Sequence, residues 1–216
     1  IGLCLVGSEM CIRDSDKDQG HELAKLLMAR DDLMVRRSMA DVLTRLFRRL
    51  TVDALPFYNQ LKADEDPDVL AAVSNTSADL RFLDIDLWAE NLLELSKHEL
   101  PVVRRNIVPS LRDYFETFPD DSRKLLPLLW QDGDEVVRTR MRELLVKMGD
   151  ISPPKFAARL TDLSAENCDL EPLWQLMNAR KENSSEIWTN WLSGNGQIPQ
   201  LAEKTQHVST KQAPDK

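Results

Sequence analysis

Two histidine–glutamate pairs, His21-Glu22 and His98-Glu99, are the first residues in this 216-residue chain whose types could do metal chemistry. Each begins like the HExxH of zinc hydrolases, where two imidazoles one helical turn apart hold the ion. Neither has the second histidine, because Lys25 and Val102 stand at those positions. With 3 His and 3 Cys in all, no metal-ligand spacing forms. Cys168 follows Asn167 in a turn and has no sequence-adjacent histidine to generate a thiolate, so it reads as an inert thiol. Asp64-Glu65-Asp66 and Asp132-Gly133-Asp134-Glu135 are dense enough in carboxylates for acid–base work. They recur, however, just ahead of predicted helices, where negative charge is favoured, and so read as turns and caps. The 7 glycines form neither GxGxxG nor GxxxxGK. No catalytic, cofactor-binding or metal residue is assigned, and no cofactor is expected.

Arginine is the remaining chemical signal. Between Asp32 and Arg49 there are five basic residues (Arg36, Arg37, Arg45, Arg48, Arg49) and two acidic ones, a local +3 in a chain of net charge -8. Arg104, Arg105 and Arg112, then Arg138, Arg140 and Arg142, repeat the pattern. Guanidinium forks suit carboxylates and phosphates. Arg37, Arg105 and Arg140 are therefore the candidate partner-binding residues, with solvated side chains as the competing reading.

The elements that place these arginines follow a 34-residue period. Val35, Val69, Val103 and Val137 are evenly spaced; eight residues before each stands Leu27, Leu61, Leu95 or Leu129. Four residues after each comes Met39, Val73, Ile107 or Met141. Twelve before lie Leu23, Phe57, Asn91 and Leu125, apolar in three of four. Apolar residues at three- and four-residue spacing predict helices throughout. Each unit reads as two helices joined by an acidic or proline-bearing turn, with the arginines on the second. The units fall at about 18–50, 51–84, 85–118, 119–150 and 151–182. The fifth is degenerate: Pro153-Pro154 opens its first helix, and its second, around Leu173, Trp174, Leu176 and Met177, has slipped by a residue or two.

The stretches MVRRSMADVL (34–43), VVRRNIVPSL (102–111) and VVRTRMRELL (136–145), each after an acidic turn, resemble HEAT repeats. A period of 34 is also that of tetratricopeptide units, but the four first helices are read as free of glycine, against that pattern. The resemblance implies an all-α, right-handed α-solenoid of about five antiparallel helix pairs. It also implies a ladder in which turn acids meet the arginine after each valine: Arg36, Arg104 and Arg138 with Asp31, Glu99 and Asp132, Asp64 being a further acid. Leu70 replaces the arginine in the second unit. Trp88, Trp130 and Trp174 share no repeat position and are expected in packing.

The ends read differently. Leu5–Ser15 resembles a translated transposase adapter from sequencing libraries, Gly7–Asp14 matching its codons in order. Residues 1–15 are then an artefact, and the chain is a fragment lacking its native N-terminus. Setting Glu9, Arg13 and Asp14 aside leaves 27 basic against 34 acidic residues, a net of -7, and Cys168 as the one native cysteine. One thiol and no credible export signal fit a cytoplasmic protein. Ile187, Trp188 and Trp191 suggest a capping helix over 184–193, and 195–216 reads as a disordered tail.

Together these features imply a non-catalytic scaffold that binds a protein partner, such as an acidic segment, on a concave, arginine-bearing surface. HEAT-like DNA alkylation-repair glycosylases offer the alternative, a basic groove for DNA. The acidic balance argues against nucleic acid, and no stretch has the roughly 18 apolar residues that span a bilayer.

Overall fold

The computed structural model describes residues 17–179; the adapter-like segment 1–15, the expected capping helix 184–193 and the tail 195–216 lie outside the described residues. The helices are α1 (Lys17–Met28), α2 (Leu33–Leu50), α3 (Leu55–Lys62), α4 (Pro67–Thr76), α5 (Ile85–Leu95) and α6 (Pro101–Ile107). They continue as α7 (Leu111–Thr117), α8 (Pro119–Trp130), α9 (Glu135–Ile151), α10 (Pro153–Ala165) and α11 (Glu171–Ala179). Short 3-10 turns occupy Thr51–Ala54, Ser77–Phe82 and Val108–Ser110. There is no strand among the described residues, so the all-α expectation holds.

Two compact units divide between Leu111 and Arg112. In the first, α1 packs on α2, α3 on α4 and α5 on α6, while α2 packs on α4 and α4 on α6. In the second, α8 packs on α9 and α10, and α9 packs on α10 and α11. The residues of the 34-residue period supply the contact surfaces. Val35, Val69, Val103 and Val137 are all buried, as are Leu27, Leu61, Leu95 and Leu129 and the apolar residues four after each valine. Two apolar side chains four apart on one helix face account for this: each covers the same neighbour one turn further on.

Departures from the pattern have local causes. α1 begins at Lys17, so Gly20 lies inside the first helix and is buried. The polar Lys17–Gln19 turn carries no apolar marker, which hid its helicity from the spacing. In the second unit of the repeat, the hydroxyls of Ser74, Thr76 and Ser77 donate to the carbonyls of Ala71, Val73 and Ser74. This local bonding competes with regular helix, and the chain tightens into 3-10 at Ser77. In the third, Pro109 has no N–H to give, and α6 yields to a 3-10 turn at Val108–Ser110. In the fifth, Leu170 O accepts from Leu173 and Trp174 N–H at 3.1 Å each, which makes Leu173 the counterpart of Val137, 36 residues on. The slip is therefore two residues, and Met177, four further, is buried as Met141 is.

Asn91 is the polar exception among the apolar positions of the first helices, and it is buried. Tyr58 Oη on α3 donates to Asn91 Oδ1 on α5 at 2.9 Å, joining two first helices through a fully enclosed hydrogen bond. Thr51, at the C-terminal end of α2, has φ 55° and ψ -129°, a conformation natural only to glycine.

Tyr58→Phe should cost about 1–3 kcal/mol, because it strands a buried carbonyl oxygen. Tyr58→Phe combined with Asn91→Leu should recover most of that loss, since both partners become apolar. Urea unfolding of the wild type, both singles and the double variant measures the coupling; strictly additive losses would rule it out. Thr51→Gly should stabilise by roughly 1 kcal/mol through relief of strain, read in the same assay.

Candidate partner-binding face

Three of the four second helices that carry a marker valine start on the same device. Asp32, Asp66 and Asp134, the third residue before Val35, Val69 and Val137, sit in extended backbone at the helix N-termini. Asp32 accepts from the N–H groups of Met34 and Val35, Asp66 from Asp68 and Val69, and Asp134 from Val137. These satisfy donors that the helix itself leaves open. Leu100 holds the same place in the third unit and makes no side-chain cap; Pro101 follows it, removing one donor instead.

A second acceptor stands two residues earlier at the same period. Asp64 Oδ1 accepts from Asp66 N–H at 2.9 Å, His98 Nδ1 from Leu100 N–H at 3.1 Å, and Asp132 Oδ1 from Asp134 N–H at 2.8 Å. His98 and the two acidic clusters, first met as possible metal or acid–base groups, thus shape the turn. Among the described residues no group of three or more His, Cys, Asp or Glu could hold a metal ion. His21 packs its ring against Phe57 at 5.5 Å between centroids. Cys168 is buried, accepts from Gln131 Nε2 at 3.4 Å, and has its thiol pKa pushed up by that burial.

The arginines after the valines reach these turns in two ways. Arg36 links two turns: its Nε donates to Asp64 Oδ2 at 2.7 Å and its Nη1 to Asp31 Oδ1 at 3.1 Å. Arg104 folds back on its own turn, with Nη1 donating to the carbonyls of His98 at 2.6 Å and Glu99 at 2.9 Å. Arg138 does likewise, donating from Nη1 to the Asp132 carbonyl and from Nε and Nη2 to Glu135 Oε2. In both, the contact to His98 or Asp132 is with the backbone carbonyl of the residue whose side chain caps the turn.

Of the three candidate partner-binding arginines, Arg37 makes the most defined contact. Its Nε and Nη2 donate to Asp66 Oδ1 and Oδ2 at 3.0 and 2.8 Å, a two-pronged grip on the capping carboxylate of α4. The same Nη2 lies 2.9 Å from Asp68 Oδ2, whose side chain is 70% exposed. Arg105 is half-buried on α6, in the same compact unit; Arg140 is exposed on α9, in the other. Arg45 and Arg48 are exposed on α2. Trp88, Trp130 and Trp174 are buried, and Trp130 Nε1 donates to the Asp169 carbonyl at 3.0 Å. They form no exposed aromatic row.

One charged cluster escaped the repeat pattern. On α10, Arg159 and Asp162 are both more than nine-tenths buried, with Arg159 Nε 3.2 Å from Asp162 Oδ2. Arg159 Nη1 donates to Ser122 Oγ and to the Pro119 carbonyl on α8, and Arg123 Nε lies 3.4 Å from Asp162 Oδ1. Burial pulls the Arg159 pKa down, Asp162 opposes that, and Arg123 adds to it. The signal was present in the spacing: Arg159 falls between Phe156 and Leu163 on the face that a helix of this period buries.

Hydrogen bonds from Arg37 hold the Asp66 carboxyl below the usual carboxylate range; burial opposes this, and the N–H groups of Val69 and Asp68 assist. Because the folded value is depressed, the stabilisation is complete above the unfolded value of about 3.9. It is lost as pH falls through that value and then the folded one. Asp66→Asn keeps a capping side chain but removes the charge. It should lower the melting temperature at neutral pH and flatten its decline between about pH 5 and pH 2. Parallel declines for the two proteins would refute the linkage. No protein-family model matches the chain, and no curated protein matches it.

Proposed function

We propose that the chain is a non-catalytic, HEAT-like α-solenoid scaffold that holds a protein partner, through an acidic segment, on its arginine-bearing second helices. The observation that carries this reading is the Arg37 fork. It grips the enclosed Asp66 carboxylate with both prongs and shares one nitrogen with the exposed Asp68. A partner's carboxylate that replaced Asp68 would meet a guanidinium already held in place, with little side-chain entropy left to lose. Second helices packed in chain order, α2 on α4 on α6, support the solenoid part of the reading. A single buried thiol in the described residues fits a cytoplasmic setting. Among those residues, no helix is long and apolar enough to cross a membrane.

A fluorescein-labelled poly-glutamate peptide should bind the chain, and replacing Arg37, Arg105 and Arg140 together by alanine should weaken it about tenfold, at roughly 0.5 kcal/mol per exposed ion pair. Raising the salt should weaken the wild-type complex. Equal peptide binding by wild type and triple variant would overturn the assignment of these arginines. Tight duplex-DNA binding with a steep salt slope, accompanied by base release, would replace the scaffold reading with the glycosylase one.

A further inference from the structure

The second compact unit holds a cleft that the arginines of the second helices do not line. Beside the buried Arg159 lies a cleft of about 280 Å³, walled by Phe115, Met148, Pro154 and Ala158. Its size is just under the range of about 300–1,000 Å³ common for small-ligand sites, and its lining is mostly apolar with few polar groups, as such sites are. Arg159 forms part of the lining. Its Nε lies 3.2 Å from Asp162 Oδ2, and its Nη1 donates to Ser122 Oγ and the Pro119 carbonyl. Nη2 has no hydrogen-bond partner among the described residues, although the side chain is only 10% exposed. A guanidinium nitrogen so placed is held rigidly by the other two, and it has donors left for one anion. At the mouth, Lys155 Nζ meets Glu116 Oε2 at 2.9 Å, with the two side chains 52% and 36% exposed. That pair is loose enough for an incoming anion to take over the ammonium.

We propose that this cleft binds a small apolar carboxylate, with its anionic end on Arg159 Nη2 and Lys155 and its apolar body between Phe115, Met148 and Pro154. Carboxylate is preferred because an ionised acceptor strengthens the hydrogen bond that Nη2 can give, and its second oxygen can turn to the Lys155 ammonium. One apolar group the size of an amino-acid side chain fills the volume. Two sources carry this chemistry: a free aryl- or alkyl-carboxylic acid, and the C-terminal residue of a peptide ending in an apolar side chain.

Calorimetry on the full chain would compare 3-phenylpropionate with 3-phenylpropanamide, and acetyl-Gly-Gly-Phe acid with its amide. Methyl NMR would follow Met148. Each acid should bind at least about tenfold more tightly than its amide and shift the Met148 methyl. Lys155→Ala should weaken the acids several-fold, with little effect on the amides. Ala158→Phe, on an exposed helix position, fills the cleft without touching the ion cluster; it should abolish binding with the circular dichroism unchanged. Tighter binding of the free acid identifies a small-molecule ligand, and tighter binding of the peptide acid identifies a chain terminus; either supports the site. Equal affinity for acids and amides, an unmoved Met148 methyl, or full binding by Ala158→Phe would overturn it.

Discussion

A helix begins with N–H groups that its own carbonyls cannot reach, and most of this molecule's polar organisation follows from how that deficit is met. In three of four units an aspartate caps the second helix, and in two of these a further aspartate two residues earlier braces the capping residue's own N–H. The caps bring carboxylates to the turn; the carboxylates attract the arginines that follow the marker valines. Arg36 and Arg37 are ordered by Asp64 and Asp66 of the next turn, so one set of groups ends a loop, starts a helix and aligns two successive second helices. The unit without an acidic cap, at Leu100, replaces the carboxylate with His98 and a proline, and its arginine turns to backbone carbonyls instead.

The apolar face is the second half of that arrangement. The buried valines and the residues four later place α2, α4 and α6 in succession, which brings the first two turns close enough for Arg36 and Arg37 to span them. Where the backbone departs from regular helix, at Ser77 and at Pro109, the marker residues Val73 and Ile107 remain buried on the turn before. Packing at the start of each second helix is therefore kept, and irregularity is confined to the end. Buried polar contacts join elements at Tyr58 with Asn91 and at Arg159 with Ser122, which sets partner choice where apolar contact alone would be indifferent.

Periodicity in one dimension was enough to read the helices, the acidic turns and the buried valines, because a 3.6-residue spiral imposes its spacing on any chain that buries one face. Asp64 and Asp132 were legible as turn acids for the same reason. His98 was not legible as their equivalent, because its role rests on an acceptor nitrogen and not on charge. Gly20 and the Lys17 turn were missed, since a polar turn leaves no apolar mark. Arg159 could have been found on its apolar face, but its importance depends on Ser122, 37 residues away.

By itself, then, the sequence determined an all-helical chain with a 34-residue period, a slipped fifth unit and arginines gathered on second helices. Those are properties of local geometry, which the identity and spacing of neighbouring residues decide. Tertiary structure alone decided which acceptor each arginine grips, that Tyr58 bonds the side-chain carbonyl of Asn91, and that a buried Arg159 lines an apolar cleft. The reason is reach. A guanidinium at the end of a long side chain can meet several acids at similar sequence distance, and only the packing of the helices that carry them selects one.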